Sequence, residues 1–361
     1  MSHLEKRISL KFIDLFCGIG GFRIAANTIC EELNLEPDCV FSSDIDPDAQ
    51  RTYEANFGEI PAGDITQIDA QDIPDHDLLL AGFPCQPFSI CGDMNGFDDI
   101  RGTLFFDIAR ILKAKRPRAF VLENVKQLKG HNQGQTLKRI MKTLADLGYH
   151  ADYHILNALD FGLPQKRERI FIVGFREPTK FLWPKGKMPM KSLSEILEDN
   201  ISEFYYASEK IKNHRLEKYA GKTRYNETTI WHENKGGNIS AYPYSCALRA
   251  GASYNYLLVN GERRLTEREM LRLQGFPDSY KIVCGYQATR KQAGNSVAVP
   301  CVAAVIRAVL NAIAIQFNIV SDKFIFAHNG QLNFILEHPS VQYIIGEHVY
   351  ANNSRCEGTT G

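Results

Sequence analysis

The chain has 361 residues, 42 Lys and Arg against 42 Asp and Glu, and 44% hydrophobic residues. That length buries one large core or two smaller ones, and the balanced charge excludes a polyanion binder acting through overall charge, so any nucleic-acid site has to be a local basic face. No apolar run is expected to reach the ~18 residues of a membrane span, the start Met1-Ser2-His3-Leu4-Glu5-Lys6-Arg7 does not read as a secretory signal, and nine cysteines without a Cys-x-x-Cys pair or zinc-like His/Cys spacing read as reduced thiols of a cytoplasmic protein.

In chain order, short apolar runs alternate with amphipathic stretches. Strands are expected over residues 11–16, 39–43, 78–82, 119–122, 153–157 and 170–175, and helices over 21–33, 46–56, 103–115 and 135–147. Such alternation predicts an α/β fold with a doubly wound sheet. Residues 85–102 form a long stretch punctuated by Gly92, Gly96 and Gly102, and read as a lid. Beyond Arg176, Pro178, Pro184 and Pro189 among many lysines read as a linker. Periodicity is weak over about 185–262, a helix is expected over 266–273, and residues 300–315, apolar on most faces, are expected to pack back on the first unit. The resulting division is a first domain of residues 1–185 with 290–316, a smaller second domain of 186–289, and an extension, 317–361, of no assigned role. In that extension 324–326 and 341–345 are strand candidates.

Candidate chemistry gathers at the ends of the expected strands, where open α/β sheets place their ligands. The run Leu78-Leu79-Leu80-Ala81 leads into Gly82-Phe83-Pro84-Cys85-Gln86-Pro87. Two prolines stiffen the loop that carries the thiol. A second run ends in Glu123-Asn124-Val125, and Gln165-Lys166-Arg167-Glu168-Arg169 precedes a third. Arg167 and Arg169 alternate, which puts them on one face if the stretch is a strand. Thiol, carboxylate and arginines point to covalent catalysis on a planar, electron-rich substrate. The turn Phe16-Cys17-Gly18-Ile19-Gly20-Gly21 reads as a cofactor loop without the Gly-x-Gly-x-x-Gly spacing of a dinucleotide site, which disfavours an oxidoreductase. Asp44, closing the second strand, suits a ribose hydroxyl. Cys17, Cys30, Cys39 and Cys301 read as small buried hydrophobes.

These segments, followed by Arg264-Leu265-Thr266, Gln274-Gly275-Phe276-Pro277 and Gly294-Asn295-Ser296-Val297, occur in the order seen in bacterial DNA (cytosine-5-)-methyltransferases of the restriction-modification type, and the chain resembles that family from about residue 11 to 315, apart from roughly 178–262. The resemblance implies a Rossmann-like methyltransferase sheet with a smaller DNA-recognition domain, S-adenosylmethionine as cofactor, and double-stranded DNA as partner, bound by a monomer, with a restriction endonuclease acting separately. It implies Cys85 as the nucleophile that adds to cytosine C6, Glu123 at the cytosine N3 and amino edge, and Arg169 at O2 with Arg167 beside it. The cofactor pocket is then built from Phe16, Gly18, Gly20, Gly21, Asp44, Ile45, Asp64, Ile65, Pro84, Leu104, Asn295, Ser296 and Val297. Asp44 replaces a glutamate common at that place, so Asp46 is a candidate to share its role.

The target base has to leave the duplex stack, with Gln86 and Ser89 as candidates to approach it or fill its gap. Arg249 is the leading DNA contact among Lys222, Arg224, Lys235 and Asn255. The family's usual Thr-Leu pair is Ala247-Leu248 here, which leaves the register of the reading loop open. Two other readings stand beside this one. A transfer-RNA cytosine-5 methyltransferase shares the Pro-Cys-Gln core but usually carries a Cys-Phe-Thr tripeptide, absent here. A catalytically silent DNA-binding regulator would bind DNA without methyl transfer. Neither the DNA sequence read nor the preference for unmethylated or half-methylated sites is legible in the residues.

Overall fold

The computed structural model describes residues 7–84, 104–222, 225–316 and 341–344. The alternating pattern resolves into β1 (Ser9–Leu15), α1 (Gly21–Glu32), β2 (Glu36–Ser43), α2 (Pro47–Phe57), β3 (Leu78–Gly82), α3 (Leu104–Lys115), β4 (Ala119–Val125), α4 (Gln135–Asp146) and β5 (His150–Asn157), then β6 (Gln165–Lys166) and β7 (Glu168–Phe175). Six strands form one twisted sheet in the order β2-β1-β3-β4-β7-β5. β2, β1, β3 and β4 run parallel, and β7 is antiparallel to both β4 and β5.

Helix ends follow local chemistry. Asp46 caps α2 by accepting from Asp48 N at 3.0 Å, Pro47 follows in the first turn, and Gly58 ends the helix at φ 74. Alternation along the strands then divides the core between the two faces. Phe12, Leu80, Val121, Phe171 and Val173 face one side with α1, and Ile13, Leu79, Phe120, Leu122 and Ile172 face the other with α3 and α4. Full burial of such side chains contributes about 1.5–3 kcal/mol each.

The C-terminal part returns to this sheet. α6 (Glu267–Gln274) and α7 (Tyr286–Asn295) lead into α8 (Val299–Gln316), which packs on α1 through buried Val302, Val305, Ile306 and Val309, with Arg307 paired to Glu32. The expected return of residues 300–315 is therefore observed. Tyr286–Ala314 is long and apolar enough to cross a membrane by length and composition, contrary to the sequence reading, but 67% of its apolar window is buried in this core.

Between these parts, β9 (Ile230–Glu233) sits between β10 (Ile239–Tyr242) and β12 (Leu257–Val259) in a small antiparallel sheet. Trp231, Ile239 and Ala241 pack under Tyr219 of α5 (Glu209–Tyr219) in a core of their own. β11 (Ser245–Cys246) leaves that region and pairs parallel with β6.

The proline-rich stretch expected as a linker is partly structured. β8 (Trp183–Gly186) carries Pro184 and pairs antiparallel with β13 (Val341–Ile344). Trp183 holds it down, donating from Nε1 to Asp152 Oδ2 at 2.8 Å and stacking on His154. Proline is tolerated there because, among the described residues, β8 pairs along one side only, as an edge strand. Residues 341–344 agree with the strand expected in the extension, while 324–326 lie outside the described residues.

Candidate active site

A cleft of about 830 Å³ opens at the carboxyl ends of β1 to β4. On one side lies the turn after β1. Phe16 adopts φ 56, a left-handed conformation that costs a non-glycine residue about 1–3 kcal/mol. Gly20 has φ 78, and a Cβ there would stand 2.3 Å from the Phe57 ring, so both conformation and packing require glycine. Asp44 links this turn to the next. Its Oδ2 accepts from Gly18 N and its Oδ1 from Asp46 N, both at 2.8 Å. Burial raises the Asp44 pKa above the ordinary carboxylate value, opposed by these two hydrogen bonds. Beside it Ile45 is 71% exposed, an apolar surface left facing the cleft mouth. Asp64, Ile65 and Leu104 line the same region, and Asn295, Ser296 and Val297 close it from the turn after α7.

On the other side β3 ends at Gly82, the parallel partner of Glu123 in β4. Phe83 and Pro84 continue along the cleft wall. Cys85, Gln86 and Ser89 lie outside the described residues, as does the expected lid. Asn124 anchors the approach to them by donating from Nδ2 to Phe83 O at 2.9 Å, while its Oδ1 accepts from Val125 N.

Glu123 is buried within β4, which runs on to Val125, past the end at residue 122 that the sequence suggested. Arg169 is the antiparallel partner of Val125, which places it diagonally from Glu123 on the same face. Its Nε lies 3.0 Å from Glu123 Oε1. Burial pushes the Glu123 pKa up, and the charges of Arg169 and then Arg167 pull against that shift.

Arg167 does not continue one strand with Arg169, as the alternation suggested. It stands between β6 and β7, where its main chain breaks the ladder by donating to Gln165 O. Its side chain is 2% exposed, and its terminal nitrogens donate to the carbonyls of Leu248 (3.1 Å), Gly294 (3.2 Å) and Ser296. Burial, then the neighbouring Arg169 charge, lowers its pKa to about 9, leaving it charged at neutral pH.

The cleft thus gathers Phe16, Gly18, Gly21, Asp44, Ile45, Asp64, Ile65, Pro84, Leu104, Glu123, Arg167, Arg169, Asn295, Ser296 and Val297. Gly20 stands behind its wall. Arg249 is outside the lining, with its guanidinium over the Tyr256 ring at 4.8 Å. Of the other candidate DNA contacts, Lys222 donates to Ile239 O, and Arg224 lies outside the described residues. The sequence reading missed Lys291 and Gln292. Lys291 Nζ reaches Asp46 Oδ2 at 2.6 Å across the cleft mouth, and Gln292 Nε2 donates to Asp48 O at 2.9 Å. The available signal was their place just before Gly294-Asn295-Ser296, though nothing in the residues named Asp46 as a partner. Burial also pushes the Cys30 and Cys39 thiols up to about 12 and raises those of Cys17 and Cys301, so these thiols stay protonated at neutral pH.

The sheet and its cleft define an α/β enzyme of the Rossmann-like methyltransferase class. Solved structures share this fold. The Dnmt2 methyltransferase of S. pombe superposes with a TM-score of 0.61 at 21% identity, covering 84% of this chain and 99% of that one. A putative DNA modification methyltransferase from an E. coli prophage gives 0.63 at 20% identity, with 84% and 99% covered.

Sequence similarity is far closer to two bacterial enzymes. The Type II methyltransferase M.NgoBI of Neisseria gonorrhoeae is 56% identical over 297 residues, 81% of this chain and 91% of its own length. The Type II methyltransferase M.HaeII of Haemophilus aegyptius is 54% identical over 306 residues, 84% and 93%. Residues 10–311 match the C-5 cytosine-specific DNA methylase family. The chain belongs to that family and is a DNA (cytosine-5-)-methyltransferase of the restriction-modification type.

Proposed function

We propose that this enzyme transfers a methyl group from S-adenosylmethionine to C5 of a cytosine flipped out of a short, specific duplex sequence. The observation that carries the reading is the pairing of a buried Glu123, whose pKa burial raises, with Arg169, beside the strand that leads to Cys85. Ring carbon C5 of cytosine is a weak nucleophile. Addition of the Cys85 thiolate to C6 converts the ring to an enamine, whose C5 can take the methyl group. Loss of the C5 proton and expulsion of the thiolate then restore the aromatic ring. Glu123 favours the first step by holding a proton at N3, and its raised pKa suits that task. Arg169 suits the O2 edge, and a positive charge near the reacting thiol favours thiolate. Asn124 fixes the main chain that enters this loop.

The donor set of the second half of the cleft fits the cofactor. Exposed Ile45 offers one face to an adenine ring, Asp64 meets its edge, and Asp44 retains lone pairs for ribose hydroxyls after its two main-chain bonds. Bound there, S-adenosylmethionine supplies an electrophilic methyl on a sulfonium.

Residues 1–185 with 290–316 are proposed as the catalytic domain and 186–289 as the DNA-reading domain, with Gln86, Ser89 and Arg249 as DNA contacts. The small sheet with its own core supports this division. A monomer acting in the cytoplasm, with any endonuclease separate, completes the reading.

The test is base-resolution cytosine conversion sequencing of DNA from a methylation-free host making this protein or Cys85→Ser. Protected cytosines in one short motif, absent with serine, are expected. Protection that survives the serine substitution rejects the nucleophile. Soluble protein with no protection rejects the DNA reading under those conditions.

A further inference from the structure

Gln165 and Arg167 form a buried clamp on one residue of the proposed reading region. Gln165 is fully buried, and its Oε1 accepts from Leu248 N at 2.9 Å. Arg167 donates to Leu248 O at 3.1 Å. Both main-chain groups of Leu248 are therefore held by side chains from the strand edge that leads to Arg169. The two-residue ladder between β6 and β11 fixes the preceding segment, and Ser245 N donates to Pro164 O at 2.8 Å.

The same two side chains reach further, Gln165 to α6 and Arg167 to the cleft's opposite wall. Gln165 Nε2 donates to Leu273 O at 2.8 Å, and Arg167 to the carbonyls of Gly294 and Ser296. Just past the clamp, a Cβ on Gly294 would stand 2.3 Å from Ala250 N, so the loop at Arg249–Ala250 rests directly on the turn that lines the cleft.

We infer that Gln165 and Arg167 are positioning residues that set the register of the reading loop against the cleft, and that the terminal nitrogens of Arg167 serve this purpose rather than contact with the base. Because both bonds go to the main chain of Leu248, the hold does not depend on the residue at 247. A loop held in this way presents Arg249 and its neighbours at a fixed offset from Glu123. Release of the hold loosens the match between the sequence read and the cytosine delivered.

This inference rests on the proposed methylation of a specific duplex sequence. Its test uses the full chain, with Gln165→Met removing all three bonds of that side chain, to Leu248 N, Leu273 O and Gln274 Oε1, and Gly294→Ala pushing the Ala250 main chain from the other wall. The motif comes from conversion sequencing of DNA exposed to the wild type. Single-turnover methylation is then measured on that duplex and on single-base variants of it. For either substitution, the ratio of cognate to near-cognate rates is expected to fall about tenfold, the scale of one misread base pair. For Gln165→Met, KM for DNA rises by a larger factor than kcat falls, and equilibrium binding of labelled S-adenosylmethionine stays within about threefold. A structural role alone lowers the active fraction and leaves the ratio where it was. Unchanged ratios in both variants overturn this inference while leaving the methylation reading intact. If Gln165→Met does not fold, Gly294→Ala decides by the same ratio. A wild type that methylates no duplex sinks the functional reading and this inference with it.

Discussion

Asp14 stands fully buried near the end of β1, immediately before the turn that lines the cleft. Burial pushes its pKa up to about 8, with the Arg23 charge opposing and Asp44 reinforcing the shift. An unfolded aspartate releases its proton near 3.8, so the folded state binds this proton more tightly. The stability it contributes is complete below that pH and is lost as pH rises toward about 8. Asp14→Asn, which cannot ionise, should gain on the wild type across pH 5 to 8, by at least about 1 kcal/mol in urea unfolding. A constant difference over that range would show that the carboxyl is already ionised at pH 5. At Glu123 the same physics serves chemistry. Glu123→Gln should slow single-turnover methyl transfer by about 10²–10⁴-fold if the carboxyl acts as a general acid, while duplex DNA still binds in a mobility-shift assay. Full activity would remove Glu123 from the mechanism.

At the scale of elements, α6 shows how one buried carboxylate organises a terminus. Glu269 is fully buried and takes a bidentate pair from Arg263 at 2.9 and 2.8 Å, completes a capping box with Thr266, and accepts from Glu198 N at 2.9 Å. Glu269→Ala takes the carboxylate from a buried guanidinium, which keeps its bond to Arg264 O, and leaves two amide groups without that partner, and should cost about 3–5 kcal/mol in chemical denaturation. A loss below about 1 kcal/mol would mean that water replaces the carboxylate.

Elements of this kind were largely legible in the residues. Thr266 three places before Glu269, and Pro47 after Asp46, mark helix starts by chemistry that is local in sequence. β3 was legible for the same reason, as an apolar run bounded by turn residues. What stayed hidden depends on partners far apart in the chain. Nothing near Arg167 announces Leu248, Gly294 and Ser296 as its acceptors, and nothing near Lys291 announces Asp46. The proline-rich stretch around 184 reads as a linker until Asp152 and His154 are seen to hold Trp183. In the cleft, one wall was readable as motifs, whereas the ties between its walls were not.

At the scale of the molecule, β8 is an edge whose described partner is β13. A chain ending at residue 320 loses that partner and bares the backbone groups of the edge, a template for association. Such a truncation should keep methylation per folded molecule while shifting light scattering toward aggregates as concentration rises. Loss of methylation in the monomeric fraction would instead make the extension part of the working fold.

The packing of α8 on α1 also sets a timetable. Residues 21–32 precede by about 280 positions the residues that cover them, 299–316, and the Tyr280 hydroxyl that bonds Ile19 O at 2.6 Å follows 261 positions after it. At about 5–20 residues per second, that delay is roughly 15–60 s. Throughout it the apolar side of α1 waits without its cover and the cleft lacks its closing turn. A newborn chain is therefore without its closed cleft until residues 280–316 have been made, and over the same interval its bare apolar surface invites chaperones.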